Sequence, residues 1–330
     1  MRVLVTGGTG FVGLSLAECL LAQGHGVRLL APSAPAGLLE DPALSGVEVR
    51  LGDIRDRDTL AEAMGGVDAV AHLAAITPDK AYETENPMSV VDVNAGGTAS
   101  LMHGVALHAP KARILLVSSV AVYGTGDPVG NRWDEVADPL APASLYGITK
   151  QAAEQLARYL ARLNGLDLVI GRLGPVFGPW EHASGVRPFL SPHTQALALA
   201  LAGQEVVLPR ALAGDWLYSR DAGRALAGLL SAGEASGGIF NVGAGAISRV
   251  SDWCAALSKL LPELRWRLAE PGDAANVHLT LARDRAPLAV NRLHALVPLR
   301  PSGSLADCVR DHLAWMESHP NAVPLRRNEH

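Results

Sequence analysis

Tyr146 and Lys150 stand four residues apart in the run Tyr146-Gly147-Ile148-Thr149-Lys150, and Ser119 lies upstream, just past the apolar run Ile114-Leu115-Leu116-Val117. On a helix that spacing puts phenol and ammonium on one face. A phenol, with an ordinary pKa of about 10, is a poor base near neutrality unless a neighbouring cation favours its anion, and Lys150 can do this. Ser119, at a strand's carboxyl end, can hydrogen-bond the same substrate oxygen while Tyr146 exchanges its proton. The chemistry is loss of a proton from a secondary alcohol and of hydride from its carbon. Singly, each residue has a plainer explanation: a serine satisfies a strand end, and a Tyr/Lys pair at helical spacing commonly lies on a solvated face.

Hydride needs an acceptor, and the amino terminus offers a place for one. Val3 to Val5 read as a short buried strand, Gly7, Gly10 and Gly13 as a tight turn, and Phe11 to Gln23 as a helix. Gly7 allows the sharp turn, Gly10 lets backbone approach a pyrophosphate, and Gly13 permits close packing of helix on strand; Phe11 and Val12 open the helix whose N–H groups meet the anion. Downstream, Asp53 in Gly52-Asp53-Ile54 can accept from an adenine amino group, or else cap the helix starting near Asp56. Ala74 and Ala75, after Leu73, are small enough to let backbone lie along a cofactor. His72 reads as a satisfied core histidine. The end of the second strand carries neither the acidic residue usual for NAD nor the arginine usual for NADP. Ala31 would not repel a 2′-phosphate, but nothing from Ala31 to Gly37 supplies a positive charge to bind one, so NAD(P) is expected with NAD favoured.

The elements that must hold these groups alternate. Strands are expected at Val27–Leu30, Val47–Leu51, Val67–Leu73, Arg113–Val117 and Leu168–Arg172, and helices at Ser89–His108 and from near Tyr146 to about Asn164. Such alternation implies an α/β Rossmann-type doubly wound parallel sheet, with ligand outside the strands' carboxyl ends. Past Gly174 the alternation breaks down into Pro/Gly-rich segments. Helices are expected there at Thr194–Leu201, Asp221–Leu230 and Val250–Leu261, and short strands at Gly203–Leu208 and Ile239–Val242. The organisation is a cofactor domain over 1–174 and a smaller, mainly substrate-binding lobe over 175–330, with about 215–245 a candidate to return to the main sheet.

Composition narrows the partners. The 330 residues are 48% hydrophobic and 18% charged, enough to bury a large core, and a net charge of -5 gives no basic field for nucleic acid or an anionic membrane. A small molecule is the expected ligand. Cys19, Cys254 and Cys308 are far apart and lack metal-ligand spacing, so they read as reduced thiols. The chain enters a core strand directly and has no apolar run long enough to span a bilayer, so the cytoplasm is the expected compartment.

Taken together, the sequence resembles the extended short-chain dehydrogenase/reductases, the NAD-dependent epimerase/dehydratase group. The resemblance runs through Thr6-Gly7-Gly8-Thr9-Gly10-Phe11-Val12-Gly13, Gly52-Asp53-Ile54, His72-Leu73-Ala74-Ala75, Val93-Asn94, the run Ser118 to Gly124, Tyr146 to Lys150, the run Arg172 to Pro179, the run Asp215 to Asp221 and Asn241-Val242-Gly243. It implies a Rossmann domain carrying NAD(P), a carboxyl-terminal lobe closing over substrate, and Ser119, Tyr146 and Lys150 as the catalytic trio. It further implies that Lys150 touches the nicotinamide ribose and that Asn94 joins the polar network on the cofactor side, with Leu73, Leu173 and Val176 beside the cofactor. Many relatives dimerise through helices corresponding to about 89–108 and 146–164.

Departures from the family pattern narrow the chemistry. Where sugar-nucleotide dehydratases place an Asp-Glu pair after the catalytic Ser/Thr, this chain has Val120 and Ala121, which cannot move protons. Where sugar-nucleotide epimerases hold a diphosphate with Asn and Arg, an ungapped reading finds Pro175, Gly214 and Glu270. The residues expected to meet substrate are Val120, Pro175, Arg187 and Trp216, with Arg187 able to clamp a carboxylate or to pair with Glu181. Trp180, His182 and His193 are further lobe residues within range. The leading expectation is an NAD(P)-dependent oxidoreductase or epimerase acting on a sugar, sugar acid or similar polyol. An NDP-sugar 4-epimerase with tightly bound NAD is the alternative, and a non-catalytic NAD(P)-binding sensor the third.

Overall fold

Alternate residues of the first strand point to opposite sides of the sheet and into two different cores. Val3 and Val5 join a cluster with Leu14, Leu226 and Trp253, and Leu4 joins one with Leu101, Leu116 and Ile170. A strand buried on both faces needs helices on both, which is the condition for a parallel sheet. The computed structural model describes residues 1–35, 37–183, 189–279 and 283–323. Its central sheet has seven strands: β1 (Arg2–Thr6), β2 (Gly26–Ala31), β3 (Glu48–Leu51), β4 (Ala69–His72), β5 (Arg113–Ser119), β6 (Leu168–Leu173) and β7 (Ile239–Val242). They lie in the order β7-β6-β5-β4-β1-β2-β3, every pair parallel. The order reverses at β1, so a crevice opens above the carboxyl ends of β1 and β4.

On one face, helix α1 (Phe11–Ala22) packs on the helix Ser219–Ser231, close enough that a Cβ on Gly223 would stand 2.4 Å from the Ser15 carbonyl oxygen. The opposite face carries Gly97–His108 and Leu145–Asn164. The expected helix from Ser89 is continuous but irregular: Pro87–Val91 is α-helical, Asp92–Gly96 makes a π turn around Asn94, and Gly97–His108 resumes the α-helix. Such single wide turns occur mostly at functional sites. Ser144 caps Leu145–Asn164 by accepting the Gly147 N–H at 3.1 Å, and Gly165 (φ 64°) ends it in the left-handed conformation.

Ile239–Val242 pairs with β6 in parallel and forms an edge of the main sheet. In the lobe, Val250–Leu257 packs on both Pro192–Leu201 and Leu305–Ser318, and two short strands, Val206–Leu208 and Trp266–Leu268, pair in parallel. Two expected elements are shorter. The strand begins at Val206 because Gly203 (φ 68°) is used to turn out of the preceding helix. The helix from Val250 stops at Leu257, in keeping with Pro262, whose ring disfavours helical backbone at Leu261.

Candidate active site

The glycines of the first turn are fixed by what surrounds them. Gly7 has φ 65°, and a Cβ there would lie 2.7 Å from the Ala74 nitrogen, so the turn rests on the backbone leaving β4. A Cβ on Gly13 would lie 2.5 Å from the Gly7 oxygen, whereas one on Gly10 meets only that oxygen, at 3.2 Å, leaving its outer side open for a ligand. Gly10 is the N-cap of α1, and a helix N-terminus presented over a glycine turn suits an anion. Phe11 is buried in the core while Val12 is partly exposed. Thr9 Oγ1 donates to the Ser33 carbonyl at 2.8 Å, tying the clasp to the chain leaving β2.

Behind the clasp runs a directed chain of hydrogen bonds. Thr98 Oγ1 donates to the Asn94 carbonyl at 2.7 Å and must therefore accept from His72 Nε2 at 3.0 Å. That tautomer leaves His72 Nδ1 to accept from Thr6 Oγ1 at 2.7 Å. Burial pushes the His72 pKa down to about 3, the Lys150 cation acting in the same direction, so the ring is neutral. His72 is thus a satisfied core histidine. Asn94 holds the Ile76 peptide through both its groups, accepting the N–H at 2.8 Å and donating to the carbonyl at 3.0 Å. It also donates to Thr149 Oγ1 at 3.1 Å, and Thr149 donates to the Tyr146 carbonyl at 3.0 Å. Asn94 therefore joins the loop after β4, with partly exposed Leu73, Ala74 and Ala75, to the helix bearing Tyr146.

Lys150 is buried and its Nζ donates to the Val117 carbonyl at 2.7 Å, two residues before Ser119 on β5. Ser119 pairs in register with Leu173 at the carboxyl ends of β5 and β6 and accepts the Ala121 N–H at 3.2 Å. Gly147 completes the juxtaposition: a Cβ there would stand 2.7 Å from the Ala121 oxygen, so only glycine lets the helix start so close to the segment after Ser119. The partly exposed Tyr146 sits beside this contact, and its N–H donates to Glu83 at 3.0 Å.

Beneath the site lies a set of buried charges that sequence reasoning missed. Ser118 donates to Glu154 at 2.6 Å, and Arg172 grips the same carboxylate with Nε at 3.0 Å and Nη2 at 2.8 Å. Burial opposes the Arg172 cation, but hydrogen bonding and charge from Glu154 outweigh it and raise its pKa above the ordinary value. Arg172 also donates to the Tyr123 hydroxyl at 3.1 Å, which donates to Asn241 at 2.8 Å. The signal was present: a glutamate one turn after Lys150 on the buried face, and an arginine closing an apolar strand, each need an opposite charge.

Other expected residues are placed differently. The Asp53 carboxylate is engaged within its own turn, by Arg55 Nη2 at 2.5 Å and the Arg55 N–H at 2.8 Å, and hydrogen bonding from Arg55 holds its pKa low. The helix cap is Asp56, which accepts the Thr59 N–H at 2.7 Å, not Asp53. Ile54 is buried, with Cδ1 so placed that a Cβ on Gly97 would meet it at 2.4 Å. Trp216 is buried, its indole N–H donates to the Leu212 carbonyl at 3.0 Å, and a Cβ on Gly214 would lie 3.1 Å from that nitrogen. Pro175 receives the Leu217 N–H at 2.9 Å, and Val176 is buried beside it. Val120 is buried, directly after Ser119. Arg187 lies outside the described residues. His193 is stacked on Phe177 in the lobe core, with ring centroids 3.8 Å apart, rather than lining a pocket.

A glycine clasp at the switch point of a parallel sheet, with a Tyr/Lys helix pressed on the next strand's end, defines a dinucleotide-dependent enzyme of the short-chain dehydrogenase/reductase type. Residues 3–243 match the NAD dependent epimerase/dehydratase family, and the chain belongs to that family. It is 31% identical over 260 residues to a dTDP-glucose 4,6-dehydratase of Streptomyces niveus, spanning 74% of this chain and 73% of that one. It is 32% identical over 308 residues to UDP-glucuronate 4-epimerase 3 of Arabidopsis thaliana, spanning 85% and 70%. In fold it is similar to the UDP-glucuronic acid 4-epimerase of Bacillus cereus solved in complex with NAD, with a TM-score of 0.76 at 20% identity over 96% of this chain and 99% of that one.

Proposed function

We propose that this enzyme moves hydride between NAD and a secondary alcohol of a sugar, sugar acid or similar polyol, with Tyr146 exchanging the hydroxyl proton, Ser119 hydrogen-bonding the same oxygen, and Lys150 supplying the positive charge beside the phenol. The observation that carries this reading is the anchoring of Lys150 to β5 two residues before Ser119, on the helix that opens with Tyr146. NAD, when bound, accepts or returns the hydride. Gly7, Gly10 and Gly13 leave room for its pyrophosphate, and Asn94 fixes the loop at its side. NAD is favoured over NADP because Arg28, the cation of β2, is committed to Glu48 and to the Ala63 and Gly65 carbonyls. Dehydration has little support, since Val120 and Ala121 cannot carry protons. Residues 1–174 form the cofactor part and 175–330 mainly the substrate lobe, with β7 contributed back to the sheet.

The second reading is a sugar-nucleotide 4-epimerase, favoured by the relatives named UDP-glucuronate 4-epimerase. Here the ketone stays bound and is reduced on its other face, so cofactor is retained. A panel of sugar nucleotides, free sugars and sugar acids, followed by absorbance of reduced cofactor with NAD and NADP and by NMR of the products, tests both. Net NADH formation marks a dehydrogenase, and an inverted carbinol without net NADH marks an epimerase. Neither signal from a protein that binds NAD would leave a sensor.

A homodimer is part of the proposal. On Leu145–Asn164, the face opposite the buried one exposes Ile148, Leu156, Tyr159 and Leu163, with exposed Leu107 on the neighbouring helix. Their steps of eight, three and four keep them within one apolar stripe along the helix. Tyr159→Asp is expected to convert a dimer to a monomer in light scattering after gel filtration; an unchanged mass would place the subunit contact elsewhere. Free Cys19, Cys254 and Cys308 suit a reducing cytoplasm, and among the described residues no helix is long and apolar enough to cross a membrane.

A further inference from the structure

The segment from Arg283 to Val290 crosses from the lobe to the chain following Ser119, and it is pinned along its length. Asp284 accepts from Arg210 at 2.9 Å, the Leu288 N–H donates to Asp215 at 2.8 Å, Trp133 and Leu288 form a β-bridge, and Arg283 donates to the Thr125 carbonyl. In this strap Arg285 is out of balance. It is only partly exposed, and Nη2 donates to the carbonyls of Val120 at 3.2 Å and Gly124 at 2.6 Å, while its guanidinium carbon lies 6.0 Å from the centre of the Trp133 ring. It meets no carboxylate among the described residues, and the charged group that bears on it, Arg283, is of the same sign. Burial, with Arg283 adding to it, lowers the pKa of Arg285 below the ordinary value. The remaining nitrogens of its fork make no hydrogen bond among the described residues, yet they are not sealed from solvent.

A half-desolvated guanidinium without a counter-ion costs free energy that a carboxylate elsewhere in the fold could have offset. Gly214 and Glu270, which stand where the family pattern has sugar-diphosphate cations, offer none: Gly214 is covered by the Trp216 indole, and Glu270 is an exposed acid. We propose that Arg285 is a substrate-binding residue whose free fork receives an anionic group, a carboxylate or phosphate oxygen, of the molecule oxidised beside Ser119. This rests on the proposed function for the identity of the site. The carbonyl contacts at Val120 and Gly124 hold the fork against the chain that follows Ser119, and planar N–H pairs match such an anion.

The test is calorimetric titration of the NAD-saturated full chain with four probes: UDP, UDP-glucose, UDP-glucuronate and free glucuronate. Arg285→Met is expected to weaken binding of anionic probes by about tenfold or more, with Arg285→Lys recovering part of the loss. An equal loss for UDP, UDP-glucose and UDP-glucuronate identifies a diphosphate as the anion. A loss confined to UDP-glucuronate and glucuronate identifies a carboxylate. Arg283→Ala, which releases the same strap at an exposed neighbour, controls for simple loosening. Wild-type affinity for every probe in Arg285→Met, an equal loss in Arg283→Ala, or no binding of any probe by the wild type would each overturn the inference. If Arg285→Met does not fold, wild-type affinities in Arg285→Lys overturn it instead. Binding is read without turnover, so Arg285-dependent affinity in a protein that passes no hydride would refute the enzymatic reading and leave this one standing.

Discussion

Replacing Tyr146 by Phe is expected to lower turnover by about 10²- to 10⁴-fold, the usual contribution of a positioned acid–base group. The ring is kept, so packing of the helix start on the segment after Ser119 is preserved, as are the Tyr146 N–H bond to Glu83 and the carbonyl bond from Thr149. Only the hydroxyl is lost. Affinity for NAD should change by no more than about twofold, because the pyrophosphate cradle at Gly7, Gly10 and Gly13 is untouched. Fluorescence titration with NADH, run beside steady-state rates on the substrate found in the panel, separates the two effects. Turnover close to wild type would remove Tyr146 from the proton path, and lost NADH binding would show that the phenol holds cofactor rather than moving a proton.

The second large effect is on stability. Glu154→Ala leaves Arg172 buried without its carboxylate and Ser118 without its acceptor, at sites whose side chains are 4% and 3% exposed for Glu154 and Arg172. Breaking one side of such a pair costs about 3–5 kcal/mol, because the surviving charge stays desolvated. Denaturant unfolding of the two proteins, compared at equal slope, measures it. Adding Arg172→Leu should recover part of the loss, since the orphaned charge is then gone. A shift below about 1 kcal/mol for Glu154→Ala would mean that water or another group rescues Arg172. Because Lys150 lies one turn earlier on the same helix, residual activity should fall further than the folded fraction does. A fall in strict proportion to the folded fraction would deny the network any part in aiming Lys150.

How much of this could be read from the chain differs from one residue to the next. The glycine turn was legible because each glycine answers a local demand, and its strand and helix flank it within a dozen residues. The Tyr146/Lys150 pair was legible for the same reason, since helical spacing alone puts both on one face. The partner of Asp53 was less legible: an acid at a strand's end suits a ligand contact or the cap of the helix near Asp56, and the fold pairs it with Arg55, two residues away. Trp216 was less legible because a large aromatic near a family motif reads equally as a pocket wall or as core, and its burial comes from the packing of the lobe.

The order of residue types along the chain, with its strand and helix periods, determined the parallel sheet, the dinucleotide clasp and the helix carrying Tyr146 and Lys150. These depend on contacts within a turn or on a repeating pattern. Only the tertiary structure decided that Glu154, Arg172 and Ser118 share one buried charge network, that Asn94 ties the loop after β4 to the helix of Tyr146, and that Arg285 stands beside Val120. Those partners lie between 18 and 165 residues apart in sequence, and no local rule links groups whose meeting depends on how a sheet is ordered and a strap is laid across it.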